Sequence, residues 1–133
     1  MNSQTDSKKP IFCKKLTSSF RYALRGIKET FISQRNMKIH SAMTVVMLFL
    51  SYYLKLNKIE FLFILLSSFL VLTTEIINSA IEKNIDIYTS KIDRNAMLGK
   101  DMAAGAVLMT VINAIIIGSI IFIPKIIDCY SKI

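Results

Sequence analysis

The sequence predicts an all-α integral membrane protein with an N-terminal amphipathic surface helix and three transmembrane helices. Hydrophobic residues make up 53% of the 133 positions, more than is usual for a soluble domain. Three long stretches lack charged residues, and basic residues crowd beside them. The net charge of +8 therefore matches an anionic membrane surface better than a nucleic-acid backbone. We expect a membrane partner and no nucleic acid.

The N-terminal region divides into a tail and a surface helix. Residues 1–14 are polar and basic, and we interpret them as a disordered cytoplasmic tail. Apolar residues then recur at spacings of three or four, which places them on one helix face: Leu16, Phe20, Leu24, Ile27 and Phe31. Basic residues occupy the remaining surface, a pattern typical of a helix lying on the inner leaflet. The alternative is an amphipathic helix on a soluble core, but no soluble core follows it.

Three stretches contain no Lys, Arg, Asp or Glu: residues 39–54, 61–74 and 102–124. Only the last reaches the length of about 20 residues that a membrane span usually needs. The middle stretch reaches it only if its helix continues through Glu75 to about Ile81. That extension places a carboxylate inside the membrane, where ionisable residues are costly and usually functional. The membrane domain then covers residues 15–127 and leaves residues 128–133 as a tail.

Basic residues predict the orientation. Thirteen of the seventeen Lys and Arg lie in residues 1–38 and 83–100, and cytoplasmic segments carry such an excess. The N-terminus is therefore predicted to be cytoplasmic and the C-terminal tail external. Cys13 and Cys129 then lie on opposite sides of the membrane and cannot pair within one chain. No Cys/His cluster has the spacing of a zinc site.

Polar residues form a narrow stripe on the second span. They are separated by three, four and four positions and fall within about 80° of one another on a helix: Glu75, Asn78, Glu82 and Asp86. The third span begins with Lys100 and Asp101, followed by small residues that let another backbone approach closely. Carboxylates, an amide and a cation are thus expected to converge at the cytoplasmic face.

These residue types suit phosphoryl transfer from ATP to an alcohol, which uses a divalent metal, a cation near the phosphates and a base. Glu75 is the deepest and can meet a hydroxyl arriving from the bilayer, whereas Glu82 and Asp86 are nearer water, where Mg²⁺ prefers oxygen ligands. There is no P-loop or GxGxxG sequence. Spacing alone leaves two alternatives open, an ion or proton path and polar residues that hold helices together.

Four strings carry a family resemblance: GIKETFISQRNMKIH at 26–40, EIINSAIEKNIDIYT at 75–89, GKDMAAGAVLM at 99–109 and IGSIIFIPK at 117–125. In this order, from about Phe20 to Lys125, the chain resembles the prokaryotic diacylglycerol kinase and undecaprenol kinase family. The resemblance implies an ATP-dependent lipid kinase of the bacterial cytoplasmic membrane. It also implies a homotrimer with active sites between neighbouring chains.

The resemblance further implies residue roles. Glu75 would be the general base and Glu82 a ligand of Mg²⁺. Nucleotide or phosphate contacts are implied for four further positions: Asn78, Lys100, Asp86 and Asp101. The family usually has Glu immediately before the Arg-Asn pair, but this chain has Gln34 there. Gln34 is expected to remain a metal ligand through its amide oxygen, with lower affinity, or else merely to cap the surface helix.

The substrate is expected to be undecaprenol, because RNMKIH at 35–40 resembles the Gram-positive branch of the family. Diacylglycerol is the alternative within the class, and a small ion-coupled transporter is the alternative outside it. His40 is interpreted as an interfacial residue at a helix entrance without a catalytic role.

Overall fold

The chain is all-helical in the computed structural model, which describes residues 11–88 and 93–131, with side chains from residue 16 onwards. The helices are α1 (Ile11–Ser33), α2 (Arg35–Tyr53), α3 (Lys58–Tyr88) and α4 (Arg94–Tyr130). α1 begins at Ile11, inside the predicted tail of residues 1–14, and α4 ends at Tyr130, inside the predicted tail of residues 128–133. The rest of those tails, residues 1–10 and 132–133, lies outside the described residues.

α1 and α2 are separated by a single residue, Gln34. Its backbone is extended, with φ −100° and ψ 124°, and its side chain makes no cap hydrogen bond to α2. The Gln34 N–H still donates to the carbonyl of Thr30 at 2.9 Å, so the α1 ladder runs up to the bend. The chain therefore changes direction at Gln34 without the Pro or Gly that usually marks such a break.

α2 and α3 are joined by a short turn with a capping box. The Asn57 side chain accepts hydrogen bonds from the N–H groups of Ile59 and Glu60, each at 2.9 Å, and the Glu60 carboxylate accepts from the Asn57 N–H at 2.8 Å. This reciprocal pattern satisfies the free donors of a helix start. Lys55 precedes it in the left-handed region, with φ 51°. Lys125, near the C-terminal end of α4, forms an ion pair with Glu60 at 3.2 Å. This contact joins that end of α4 to the turn.

α3 and α4 form the main packed pair, and they are the two helices of the described chain that are long and apolar enough to span a membrane. At 1.5 Å per residue, 31 and 37 residues make helices of about 46 and 55 Å, longer than the roughly 30 Å hydrocarbon layer. The hydroxyls of Thr74 and Thr110 join them at 3.0 Å. Most large apolar side chains are exposed on the single chain, as expected for lipid-facing or subunit-facing surfaces.

Candidate active site

Glu75 lies on the inward face of α3 and is almost completely buried, with 2% of its surface exposed. Its Oε2 atom has no hydrogen-bond partner among the described residues. An unpaired buried carboxylate oxygen is costly, so it usually has a functional explanation. Ser79, one turn further along, donates its hydroxyl to the Glu75 carbonyl at 2.8 Å and leaves the carboxylate untouched. One carboxylate oxygen of this buried side chain therefore keeps its capacity to accept a hydrogen bond.

One turn beyond Ser79 along α3, Glu82 forms a cluster with two other residues, Asn78 and Gln34. The Asn78 Nδ2 donates to Glu82 Oε1 at 3.1 Å, and the Gln34 Nε2 donates to Glu82 Oε2 at 3.5 Å. The Asn78 Oδ1 is buried and has no partner in the described chain. The bend between α1 and α2 thus carries Gln34 to the polar stripe, and the side chain makes this contact instead of the helix cap considered from the sequence.

Lys100 and Asp86 form the outermost pair of the site. Lys100 Nζ donates to Asp86 Oδ1 and makes an ion pair with it. Gly99 allows this approach of α4 to α3, because a Cβ atom there would lie 3.2 Å from Ile85 Cδ1. Asp101, the next residue, is exposed, and no hydrogen bond or ion pair of its side chain occurs within residues 11–88 and 93–131. The structure therefore joins Lys100 to the stripe and leaves Asp101 at its edge.

The residues at Glu82 fit a divalent metal by their donor chemistry. Within the described residues, no three His, Cys, Asp or Glu side chains are grouped closely enough to hold one. Both amides, however, can turn by 180° and present an oxygen in place of the N–H₂ group. Glu82, Asn78 and Gln34 would then offer the hard oxygen ligands that Mg²⁺ prefers. The Asn78 Oδ1 atom accepts no hydrogen bond from the described residues, so this oxygen is free to bind a metal ion.

The sequence analysis assigned His40 no catalytic role, and it did not predict which part of α3 this residue approaches. His40 lies on α2, is half-buried and lines the same cavity as Val71, one turn before Glu75. No motif links positions 40 and 75, since the proximity arises only when α2 packs on α3. Thr44, one turn after His40, donates its hydroxyl to the His40 carbonyl at 2.9 Å. This bond lies within α2 and does not indicate a contact with α3.

Comparison with known proteins supplies a family. The model of the family described as prokaryotic diacylglycerol kinase matches residues 21–122. An undecaprenol kinase from Bacillus subtilis is 38% identical over 80% of this chain and 87% of its own length. A diacylglycerol kinase from Synechocystis is 35% identical over 85% of this chain and 65% of its own length. The diacylglycerol kinase of Escherichia coli K12 is 27% identical over 71% of this chain and 78% of its own.

Proposed function

Because the chain belongs to the prokaryotic diacylglycerol kinase family and is a lipid kinase, we propose that it transfers the terminal phosphoryl group of ATP to undecaprenol. The products are undecaprenyl phosphate and ADP. The observation that carries the proposed site is the Glu75 carboxylate, buried in an apolar helix with one oxygen unpaired. A base at that position can reach a hydroxyl that never leaves the bilayer.

Glu75 acts in this proposal as the general base. The lipid hydroxyl donates its proton to Oε2 as its oxygen forms a bond to the γ-phosphorus of ATP, and the bond from that phosphorus to the bridging oxygen breaks. ADP leaves with the electrons of the broken bond. The surrounding protein excludes water, which would otherwise compete with the lipid for the phosphoryl group.

Lys100 and Asn78 orient the nucleotide in this scheme. Lys100 releases Asp86 and places its ammonium on the phosphates, while Asn78 contributes its amide beside Glu82. Asp86 and Asp101 serve as nucleotide contacts at the water-facing edge. Mg²⁺, held by Glu82 with Gln34 and Asn78, supplies charge neutralisation of the phosphates when bound.

We also propose three spans, with α2 as the third. α2 has 19 residues, about 28 Å of helix, and residues 39–54 carry no Lys, Arg, Asp or Glu. α1 lies on the inner leaflet with its apolar face in the lipid, the N-terminus and active site face the cytoplasm, and the C-terminus is external. A homotrimer covers part of the exposed apolar surface, since one chain has few helices with which to enclose Glu75, Glu82 and ATP.

The substrate is tested by competition in membranes that contain the purified chain. Radiolabelled ATP is supplied with equal amounts of undecaprenol and a diacylglycerol, and the labelled lipids are separated. Label mainly in undecaprenyl phosphate supports the proposal, and label mainly in phosphatidic acid replaces undecaprenol with diacylglycerol. If neither lipid is labelled and the protein carries protons across proteoliposome membranes, the kinase proposal would be overturned and a transporter supported.

The two native cysteines test the topology. A membrane-impermeant thiol reagent added outside right-side-out vesicles is expected to label Cys129, which is a free and exposed thiol, and to spare Cys13 until the membrane is opened. Labelling of both cysteines from one side would contradict three spans. Cross-linking in mild detergent is expected to give a trimer, and active monomer alone would contradict that assembly.

A further inference from the structure

A narrow groove runs between α2, α3 and α4, and the proposed chemistry does not account for it. Its volume is about 290 Å³, at the low end of the roughly 300–1,000 Å³ found for small-molecule sites. Its walls are mainly apolar, with each of the three helices contributing: Met43, Met47, Ile64, Val71, Ala114 and Gly118. The groove therefore offers a hydrocarbon-lined space inside the membrane part of the chain.

The groove ends about one helical turn from the proposed base. Val71 and His40 line it, and Val71 lies one helical turn before Glu75 on the same face of α3. His40, on α2, faces Val71 across the same end of the groove. At the other end, Ile64 lies eleven residues before Glu75, about 16 Å along the helix. A chain lying in the groove would thus point one end at Glu75 and the other towards the outer half of the membrane.

Few polar side chains line the wall besides His40. The Ser67 hydroxyl donates to the Ile64 carbonyl at 3.1 Å, and the Thr44 hydroxyl donates to the His40 carbonyl at 2.9 Å. Both protons are used within their own helices, so these two residues need no polar ligand. The hydroxyl of Ser68 also lines the groove, but the rest of the wall is mainly apolar and suits a hydrocarbon.

Small residues keep the groove open. Gly118 and Ala114 are one turn apart on α4, and small residues in membrane helices usually allow a second backbone to come close. Here no backbone does so: a Cβ atom on Gly118 would meet only the Phe122 ring, at 3.9 Å. The space beside Gly118 is therefore free within the described chain.

We propose that this groove binds the hydrocarbon chain of the lipid alcohol, as a single narrow chain whose hydroxyl end lies between His40 and Glu75. The inference rests on the proposed function and adds a structural reason for the choice of lipid substrate. Lipid tails are as apolar as the groove wall, so transfer from the bilayer brings little hydrophobic gain. The groove therefore selects by shape, admitting one isoprenoid or alkyl chain and leaving the second chain of a glycerolipid outside.

The test fills the groove at its far end. Gly118→Leu adds a side chain inside the groove, and Ser119→Leu adds the same bulk to the neighbouring exposed position of α4. Both variants are assayed with a long prenol and with a short-chain alcohol that ends before Gly118, and the oligomer is measured for each. Overpacking at a filled site weakens binding by about tenfold. We expect that increase in KM for the long prenol with Gly118→Leu alone, and unchanged KM values for ATP and the short alcohol.

Labelling gives a second measurement that does not depend on turnover. A farnesol analogue with a diazirine at the end remote from its hydroxyl is expected to label α4 between residues 111 and 118, and Gly118→Leu is expected to move that label elsewhere. Equal KM values for the long prenol in both variants, or label spread over lipid-facing residues, would overturn the groove as the chain site.

The remaining outcomes distinguish a failure of the groove proposal from a failure of the proposed function. Loss of the oligomer in Gly118→Leu alone would overturn the proposal and assign the groove to a second copy of the chain. Failure of the unmodified protein to phosphorylate any lipid alcohol would overturn the proposed function, and the specificity inference with it. Normal phosphorylation with no discrimination by chain shape would overturn only the groove.

Discussion

The two ends of α3 use the same residue types in opposite ways. At the N-terminal end of α3, Asn57, Glu60 and Lys125 satisfy one another through the capping box and the 3.2 Å ion pair. Towards its C-terminal end, Asn78 and Glu82 also pair, yet Asn78 Oδ1 and Glu75 Oε2 are buried without partners among the described residues. A closed set of polar contacts is typical of a structural role, whereas buried unpaired atoms indicate a site that awaits a ligand.

The largest effect is expected at Glu75. Glu75→Gln keeps the size and hydrogen-bonding capacity but cannot take the hydroxyl proton, so turnover should fall by about a hundredfold to ten-thousandfold. ATP affinity should be retained, and the melting temperature should not fall, because a buried charge has been removed. Steady-state kinetics, nucleotide binding and thermal unfolding measure the three quantities.

The matched control is Glu60→Gln, the same chemical change at the N-terminal end of the same helix. It should leave turnover unchanged. Equal loss of ATP affinity and turnover in Glu75→Gln would move Glu75 to a binding role, and a large fall in melting temperature would make it a structural residue like Glu60.

Lys100 should show the next largest effect. In the proposed role of Lys100, Lys100→Met would remove a charge-assisted contact with the phosphates, which corresponds to about a tenfold to hundredfold loss in kcat/KM for ATP. The control is Lys83→Met, because Lys83 also lies near the C-terminal end of α3 and makes an ion pair, 3.7 Å from Glu29, between two exposed side chains. Exposed pairs contribute little. If both variants lose the same activity, the effect is one of general charge and not of a phosphate contact.

Substitution of Gln34 is expected to increase the affinity for Mg²⁺, whereas the preceding substitutions are expected to reduce activity. Gln34→Glu places a second carboxylate beside Glu82, now 3.5 Å from the Gln34 amide. The two anions attract a divalent ion more strongly, and a net gain of about 1 to 2 kcal/mol corresponds to roughly tenfold lower half-saturating Mg²⁺. Kinetic titration with Mg²⁺ measures the shift, and the rise in melting temperature on adding Mg²⁺ measures it without turnover.

Glu82→Gln is the complement of that variant, since it leaves no carboxylate at either position. It should nearly abolish metal-dependent activity. An unchanged Mg²⁺ curve in a folded, assembled Gln34→Glu protein would mean that position 34 is not a metal ligand in this chain.

The sequence predicted the helical class and the polar stripe well because both depend on periodicity along one helix. Glu75, Asn78 and Glu82 share a face of α3, as their spacing required. The bend at Gln34 could not be predicted, since no Pro, Gly or capping side chain marks it. His40 was placed at an interface, and its approach to Glu75 depends on how α2 packs against α3. The capping box corresponds to the pattern Asn57-x-x-Glu60 before an apolar run, so the sequence does carry a signal for it.

The smallest expected effect lies at the capping box that begins α3. Asn57→Ala removes the oxygen that accepts from the N–H groups of Ile59 and Glu60, and loss of such a cap usually costs about 1 kcal/mol of stability. Turnover of the folded protein should stay within about twofold of the original, because the cap lies at the far end of α3 from Glu75. Unfolding by SDS in mixed micelles measures the stability, and a kinase assay on the same preparations measures turnover. Asn84→Ala is the control, since that exposed Asn only donates to the Ala80 carbonyl of its own helix at 2.8 Å, and a surface change of this kind should alter stability by less than about 0.5 kcal/mol. A large loss of turnover in Asn57→Ala at unchanged stability would contradict the division of α3 into a structural end and a chemical end, because the closed contacts would then control the open ones along the length of the helix.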